Sequence, residues 1–118
     1  VSGHVAYTMS KYNMTMIATG LAGELKPFRI ASNSLWPRTT IATAAVKNLL
    51  GGDALMRKSR TPEILADTAY IILSRPSDEC TGYTFIDDEV LRSAGITDLT
   101  PYAVDKNEQL FTDLFLDR

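Results

Sequence analysis

From His4 to Leu25 the chain carries apolar residues such as Val5, Met9, Met16, Ile17 and Leu21 at helical spacing among good helix formers, which predicts one long helix. Lys26-Pro27 stops it, because proline has no N–H to donate into a continuing helix. Gly20 and Gly23 lie inside this span, and each weakens it by roughly 1 kcal/mol unless close packing uses them. The next apolar stretch, FRIASNSLWP, is short and bounded by Pro27 and Pro37, so it reads as a buried strand.

Beyond Pro37, RTTIATAAVKNLLGG predicts a threonine-rich loop leading into a short helix that Gly51-Gly52 ends. A third helix is more clearly marked. Thr61 is placed to cap it, Pro62 and Glu63 suit its first turn, and EILADTAYIILS supplies an apolar face before Arg75-Pro76 closes it. TGYTFIDDEVL then reads as a strand from Tyr83 to Ile86 that turns at Asp87-Asp88. From Ser93 to Arg118 the apolar residues follow no period, and a loop with a few short turns is expected. The order helix, strand, two helices, strand, tail predicts an α/β fold. Two strands are too few for a parallel sheet covered on both faces, so the pattern reads as part of a larger sheet and the stretch as a piece of a longer chain.

A length of 118 residues fits one domain. With 45% apolar and 22% charged residues and a formal charge of -2, the chain lacks the basic excess that draws a protein to nucleic acid or an anionic membrane. No run approaches the ~18 apolar residues of a membrane span. One cysteine, Cys80, excludes an internal disulfide, and one histidine, His4, gives it no partner for a zinc site. A reduced, cytoplasmic setting is expected, with the peroxisome or mitochondrion as eukaryotic alternatives. Asp87, Asp88 and Glu89 could suggest a cation site, but a turn after a strand explains them as well. Trp36 and Phe28 flank the predicted strand and suit core or interface packing, or the lining of a pocket.

Within the first helix, AYTMSK sets Tyr7 and Lys11 four residues apart, on one face and about 5 to 6 Å from each other at Cβ. An ammonium about 4 Å from a phenol favours the phenolate by roughly 4 kcal/mol at an effective dielectric of 20. That moves a phenol toward the range where a general acid/base works near neutral pH. The spacing alone also fits a solvated or packing pair, since chance supplies it in roughly one such chain in five.

The context is more specific. AYTMSKYNMTMIATGLAGEL, RIASNSLWP, TPEILADTAYIIL and TGYTFID follow one another in the order and at the spacing of the C-terminal half of the short-chain dehydrogenase/reductase family, which the chain resembles over essentially its whole length. NSLWPRTTIATAA and the ending IDDEVLRSAGITDLTPYAVDKNEQLFTDLFLD are most similar to the hydroxysteroid dehydrogenase-like subgroup. The resemblance implies the C-terminal half of a Rossmann-type, doubly wound parallel sheet, three layers deep in the complete domain, in an enzyme that interconverts an alcohol and a ketone with NAD or NADP, NADP being the first choice. It implies that Tyr7 is the catalytic acid/base and that Lys11 holds the nicotinamide ribose and tunes Tyr7. Pro37, Ile41 and Thr43 match the loop whose backbone grips the nicotinamide carboxamide, and Asn33 matches an asparagine that is usually structural.

The chain departs from the family in having Arg38 where glycine commonly follows the proline, and Thr43 one position later than the usual threonine. The glycine-rich turn that seats the cofactor pyrophosphate, the serine that polarises the carbonyl and a helix-borne asparagine have no counterparts here. The stretch alone is therefore expected to be inactive. Met9 and Met16, on a second face of the first helix, are expected to support a homo-oligomer. The alternative is a non-catalytic oligomerisation or binding module built on the same elements.

Overall fold

The computed structural model describes residues 2–116. The first helix, α1, spans Val5–Leu25, as the apolar spacing predicts. It runs into a tight 3-10 turn at Lys26–Phe28, with Pro27 in its first positions. Arg29 follows at φ 58, a left-handed conformation rare outside glycine. Its guanidinium bonds Asp78 at 3.0 Å and its carbonyl accepts the Ser77 hydroxyl at 2.7 Å, which holds the reversal in place. That reversal shortens the expected strand. Phe28 and Ile30 stay exposed, and only β1, Ser34–Trp36, is extended and paired.

The second strand, β2, covers Thr84–Ile86 and pairs parallel to β1, with Ser34 opposite Thr84 and Trp36 opposite Ile86. Asn33 sits just before β1 rather than within it. Its amide donates to the Cys80 carbonyl at 2.9 Å and accepts the Tyr83 N–H at 3.0 Å, so the side chain extends the ladder beyond the strand. The expected α/β architecture with parallel strands is the one observed.

After β1 the sequence reading needs three corrections. Gly51-Gly52 joins two helical pieces instead of ending one. A π-helical turn at Val46–Leu50 closes on Gly51, and α2, Gly52–Arg57, starts at once from Gly52 at φ 62. Gly51 is needed there because a Cβ would fall 2.6 Å from the Leu55 Cβ. Second, Thr61 does not cap α3, Glu63–Leu73, with its side chain. Its carbonyl accepts the Ile64 N–H at 3.3 Å, and its hydroxyl bonds the Glu63 carboxylate, which holds that carboxyl below the usual range.

Third, Asp87-Asp88 is not a turn but the start of a helix, α4, Asp87–Ser93. Asp87 is fully buried there, and its Oδ1 accepts the N–H of Asp88 at 2.7 Å and of Arg38 at 2.9 Å. Burial pushes this carboxyl up, against the pull of those two N–H groups and of the Arg60 charge.

Helices α3 and α4 hold the core. Ile64, Thr68 and Ile72 point inward from α3 at every fourth residue, one helical face. Ile64 and Leu91 join Ile41 and Leu99 in one apolar cluster, and Ile72, Cys80 and Val90 form a second against Leu35 and Phe85. The buried Thr68 hydroxyl donates to the Ile64 carbonyl at 2.7 Å, so its polarity is satisfied within its own helix.

The tail is aperiodic, as expected, yet tied down along its course. Tyr102, in a 3-10 turn at Thr100–Tyr102, donates to Asp67 at 2.6 Å; that bond, with burial behind it, pushes the phenol up to about 12. Farther on, Thr112 bridges antiparallel to Thr39, flanked by bonds from the Thr40 N–H to the Phe111 carbonyl and from the Asp113 N–H to the Arg38 carbonyl, each 3.0 Å. Among the described residues no helix is long and apolar enough to cross a membrane, and no group of His, Cys, Asp and Glu side chains could hold a metal ion.

Candidate functional site

One cleft of about 450 Å³ lies where α1, the end of β1, the segment after Pro37 and the tail meet. Tyr7, Lys11, Thr15 and Ala18 line it from α1, and steps of four, four and three residues keep them on one face. Pro37, Ile41 and Thr43 line it from the next segment. The sequence residues Tyr7, Lys11, Pro37, Ile41 and Thr43, spread over 37 positions, therefore share one concavity.

Their settings differ. Tyr7 is partly open to solvent, and the Lys11 ammonium lies 5.3 Å from the centre of its ring, at cation–π distance. Ile41 is buried in the wall, part of the cluster with Ile64 and Leu91, while Thr43 stands exposed at the rim and its carbonyl accepts the Lys47 N–H. The backbone around Ile41 is bonded across to Arg60. Thr40 and Ala42 exchange bonds of 3.0 and 2.8 Å with Arg60, and Thr40 Oγ1 bonds Ser59 Oγ at 2.7 Å.

Arg38 anchors the other end of this segment. Besides its N–H bond to Asp87, its Nε lies 3.2 Å from Asp88 and its Nη2 2.5 Å from Glu89. The acids that suggested a cation site are thus engaged with an arginine. A glycine, common here in the resembled family, would keep the N–H bond to Asp87 but could not reach Asp88 and Glu89.

The tail brings three further residues into the cleft lining, Asp113, Leu114 and Phe115. The Phe115 ring lies 6.1 Å from Tyr7, 5.6 Å from Tyr12 and 5.3 Å from Trp36, centre to centre. Trp36 is itself fixed, since its Nε1 donates to Thr15 Oγ1 at 2.8 Å. Burial pushes the Asp113 carboxyl up, while the N–H groups of Leu114 and Phe115 and the Lys11 charge pull it back. Nothing periodic in the tail marks these residues. An aromatic near the chain end was the one available signal.

Of the remaining candidates, His4 is exposed just ahead of α1, Phe28 is exposed away from the cleft, and Cys80 is a buried free thiol. A second cavity of about 500 Å³ includes Asn33, Leu35, Ile72 and Cys80 but has no acid or imidazole in its lining.

The chain is similar to parts of known proteins. The chain superimposes on a short-chain dehydrogenase from Mycobacterium thermoresistibile with a TM-score of 0.81 and 52% identity, covering 94% of this chain and 39% of that one. On a protein assigned as a dehydrogenase from Xanthomonas campestris the TM-score is 0.89 and the identity 47%, covering 97% and 41%. The chain is thus homologous, over nearly its whole length, to part of the short-chain dehydrogenases and shares their Rossmann-type fold. Among curated proteins its relatives are hydroxysteroid dehydrogenase-like protein 2, from Xenopus tropicalis at 50% identity and from Homo sapiens at 42%, each over 97% of this chain. The chain spans 27% of the length of both relatives. No family model matches it.

Proposed function

We propose that this chain is the C-terminal part of the catalytic domain of an NAD(P)-dependent dehydrogenase that interconverts an alcohol and a ketone. The observation that carries this reading is the convergence of Tyr7, Lys11, Pro37, Ile41 and Thr43 on one cleft in a chain whose relatives are named dehydrogenases. In the direction of reduction, Tyr7 donates its phenolic proton to the substrate oxygen as the carbonyl carbon gains a hydride; oxidation reverses both transfers. A bound nicotinamide supplies or accepts that hydride.

The residues present fit one end of such a cofactor. Lys11 offers ammonium donors to ribose hydroxyls and forms no salt bridge among the described residues. The backbone from Thr40 to Thr43 can present at the cleft wall the N–H and carbonyl groups not engaged with Phe111, Arg60 and Lys47. A bed for the pyrophosphate has no counterpart in these 118 residues, so the chain needs the rest of the domain for activity. Exposed Met9, Met16 and Ile17 on α1 support a role for this helix in self-association.

The experiment is a fluorescence titration of NADPH and NADH against the full-length protein that carries this segment, with ketone reduction measured beside it. Binding is expected, and Tyr7→Phe should abolish turnover while leaving cofactor affinity near its original value. Failure to bind either nucleotide would overturn the enzymatic reading and favour an interaction module. Retained turnover in Tyr7→Phe would remove Tyr7 from the mechanism.

A further inference from the structure

The proposed acid/base has an aromatic neighbour from the far end of the chain. Phe115 is the shared partner of Tyr7, Tyr12 and Trp36, the last two meeting it edge-on and Tyr7 lying nearly parallel at 20°. Its position is set by the backbone. The Asp113 N–H is bonded to the Arg38 carbonyl, and its Oδ1 accepts the Leu114 N–H at 2.5 Å, which tightens the turn that delivers Phe115. The antiparallel bridge from Thr112 to Thr39 fixes the same turn to the segment after Pro37.

We propose that Phe115 is a specificity-determining wall of the substrate site. This rests on the dehydrogenase reading and extends it to the substrate. A ketone whose oxygen reaches the Tyr7 phenol must lay its carbon skeleton near the ring packed against Tyr7. Phe115 and Trp36 line the cleft with apolar rings, and Met14, Leu50 and Leu114 continue the apolar lining. The substrate class is therefore a carbonyl or carbinol on an apolar frame, and the width of the frame is limited by the Phe115 ring. An anchored wall limits size more sharply than a mobile one, and the bonds at Thr112 and Asp113 supply the anchor.

The test compares kcat/KM for cyclohexanone and for the wider 2-decalone in the full-length protein, with whichever of NADPH or NADH it binds. Phe115→Ala should raise the decalone-to-cyclohexanone ratio about tenfold or more, the scale on which pocket volume discriminates substrates. Phe115→Leu, which keeps an apolar side chain of useful size and guards against misfolding of the alanine variant, should raise it less. A loss of structure alone would lower both substrates together. An unchanged ratio in a folded, active Phe115→Leu variant overturns the assignment of Phe115 alone. Absence of turnover on either ketone by the unaltered protein overturns the dehydrogenase reading and this assignment with it.

Discussion

Helix α1 and the α3–α4 pair are both rich in apolar residues but use them in opposite ways. In its 21 residues α1 buries only Ala22, whereas α3 and α4 bury Ile64, Ile72, Val90 and Leu91 around Thr68 and Asp87. The proposed catalytic pair lies on the poorly buried helix. That helix is held by a few specific stitches: Thr15 to the Trp36 indole, the Ser32 hydroxyl to the Ala18 carbonyl at 2.9 Å, and the aromatic group around Phe115. Burial is concentrated in one region and the candidate chemistry in another, so substitutions should separate stability from activity.

The sharpest way to break the contrast is a pair of truncations. Leu91→Ala, at a fully buried position, should cost ~2–5 kcal/mol, while Met16→Ala, at a side chain 69% exposed, should stay within ~0.5 kcal/mol. Urea unfolding of both variants measures this, and equal losses would show α1 to be as deeply integrated as α3 and α4. Next comes Asp87→Ala. It removes the acceptor of the Arg38 and Asp88 N–H groups and a charge facing buried Arg60, for an expected loss of about 1–3 kcal/mol. It should also loosen the segment after Pro37, seen as faster amide exchange from Arg38 to Ala42.

A smaller effect belongs to α1. Thr15→Val leaves the Trp36 indole N–H without its acceptor and should cost about 1 kcal/mol in unfolding experiments. No change would mean that the aromatic contacts alone hold the helix. The smallest effect is a pH dependence. Because burial raises the Asp113 carboxyl, the folded chain holds this proton more tightly than the unfolded one does. Its contribution to stability is complete below the ordinary carboxylate range near 4 and is lost as pH rises through the raised value. Asp113→Asn, whose amide oxygen can still accept the Leu114 N–H, should flatten that decline in thermal melts taken across this range; an unaltered slope would exclude Asp113 as its source.

What was legible in the sequence follows from where each partner lies. The extent of α1 and the end of α3 are written locally, in apolar spacing and in Lys26-Pro27 and Arg75-Pro76. The candidate residues from Tyr7 to Thr43 come from ordered motifs, and all of them line one cleft. The start of α4 was missed because acids after a strand look like a turn, and what makes Asp87 helical includes an N–H 49 residues away. The two glycines were misread because their role depends on how closely Leu55 approaches Gly51. The tail was opaque for a related reason. Phe111, Thr112, Asp113 and Phe115 each meet a different neighbour, so no period arises from which to read them.

Trp36 has a consequence of another kind. It is the chain's one tryptophan, and it stands in the cleft wall with its N–H tethered to Thr15 and its ring against Tyr12 and Phe115. Indole emission responds to the polarity around the ring, so a molecule entering the cleft, or a tail lifting away from it, would alter the colour of this residue's light. Nature has placed an optical gauge beside Tyr7, and it can register occupancy in a variant that performs no chemistry at all.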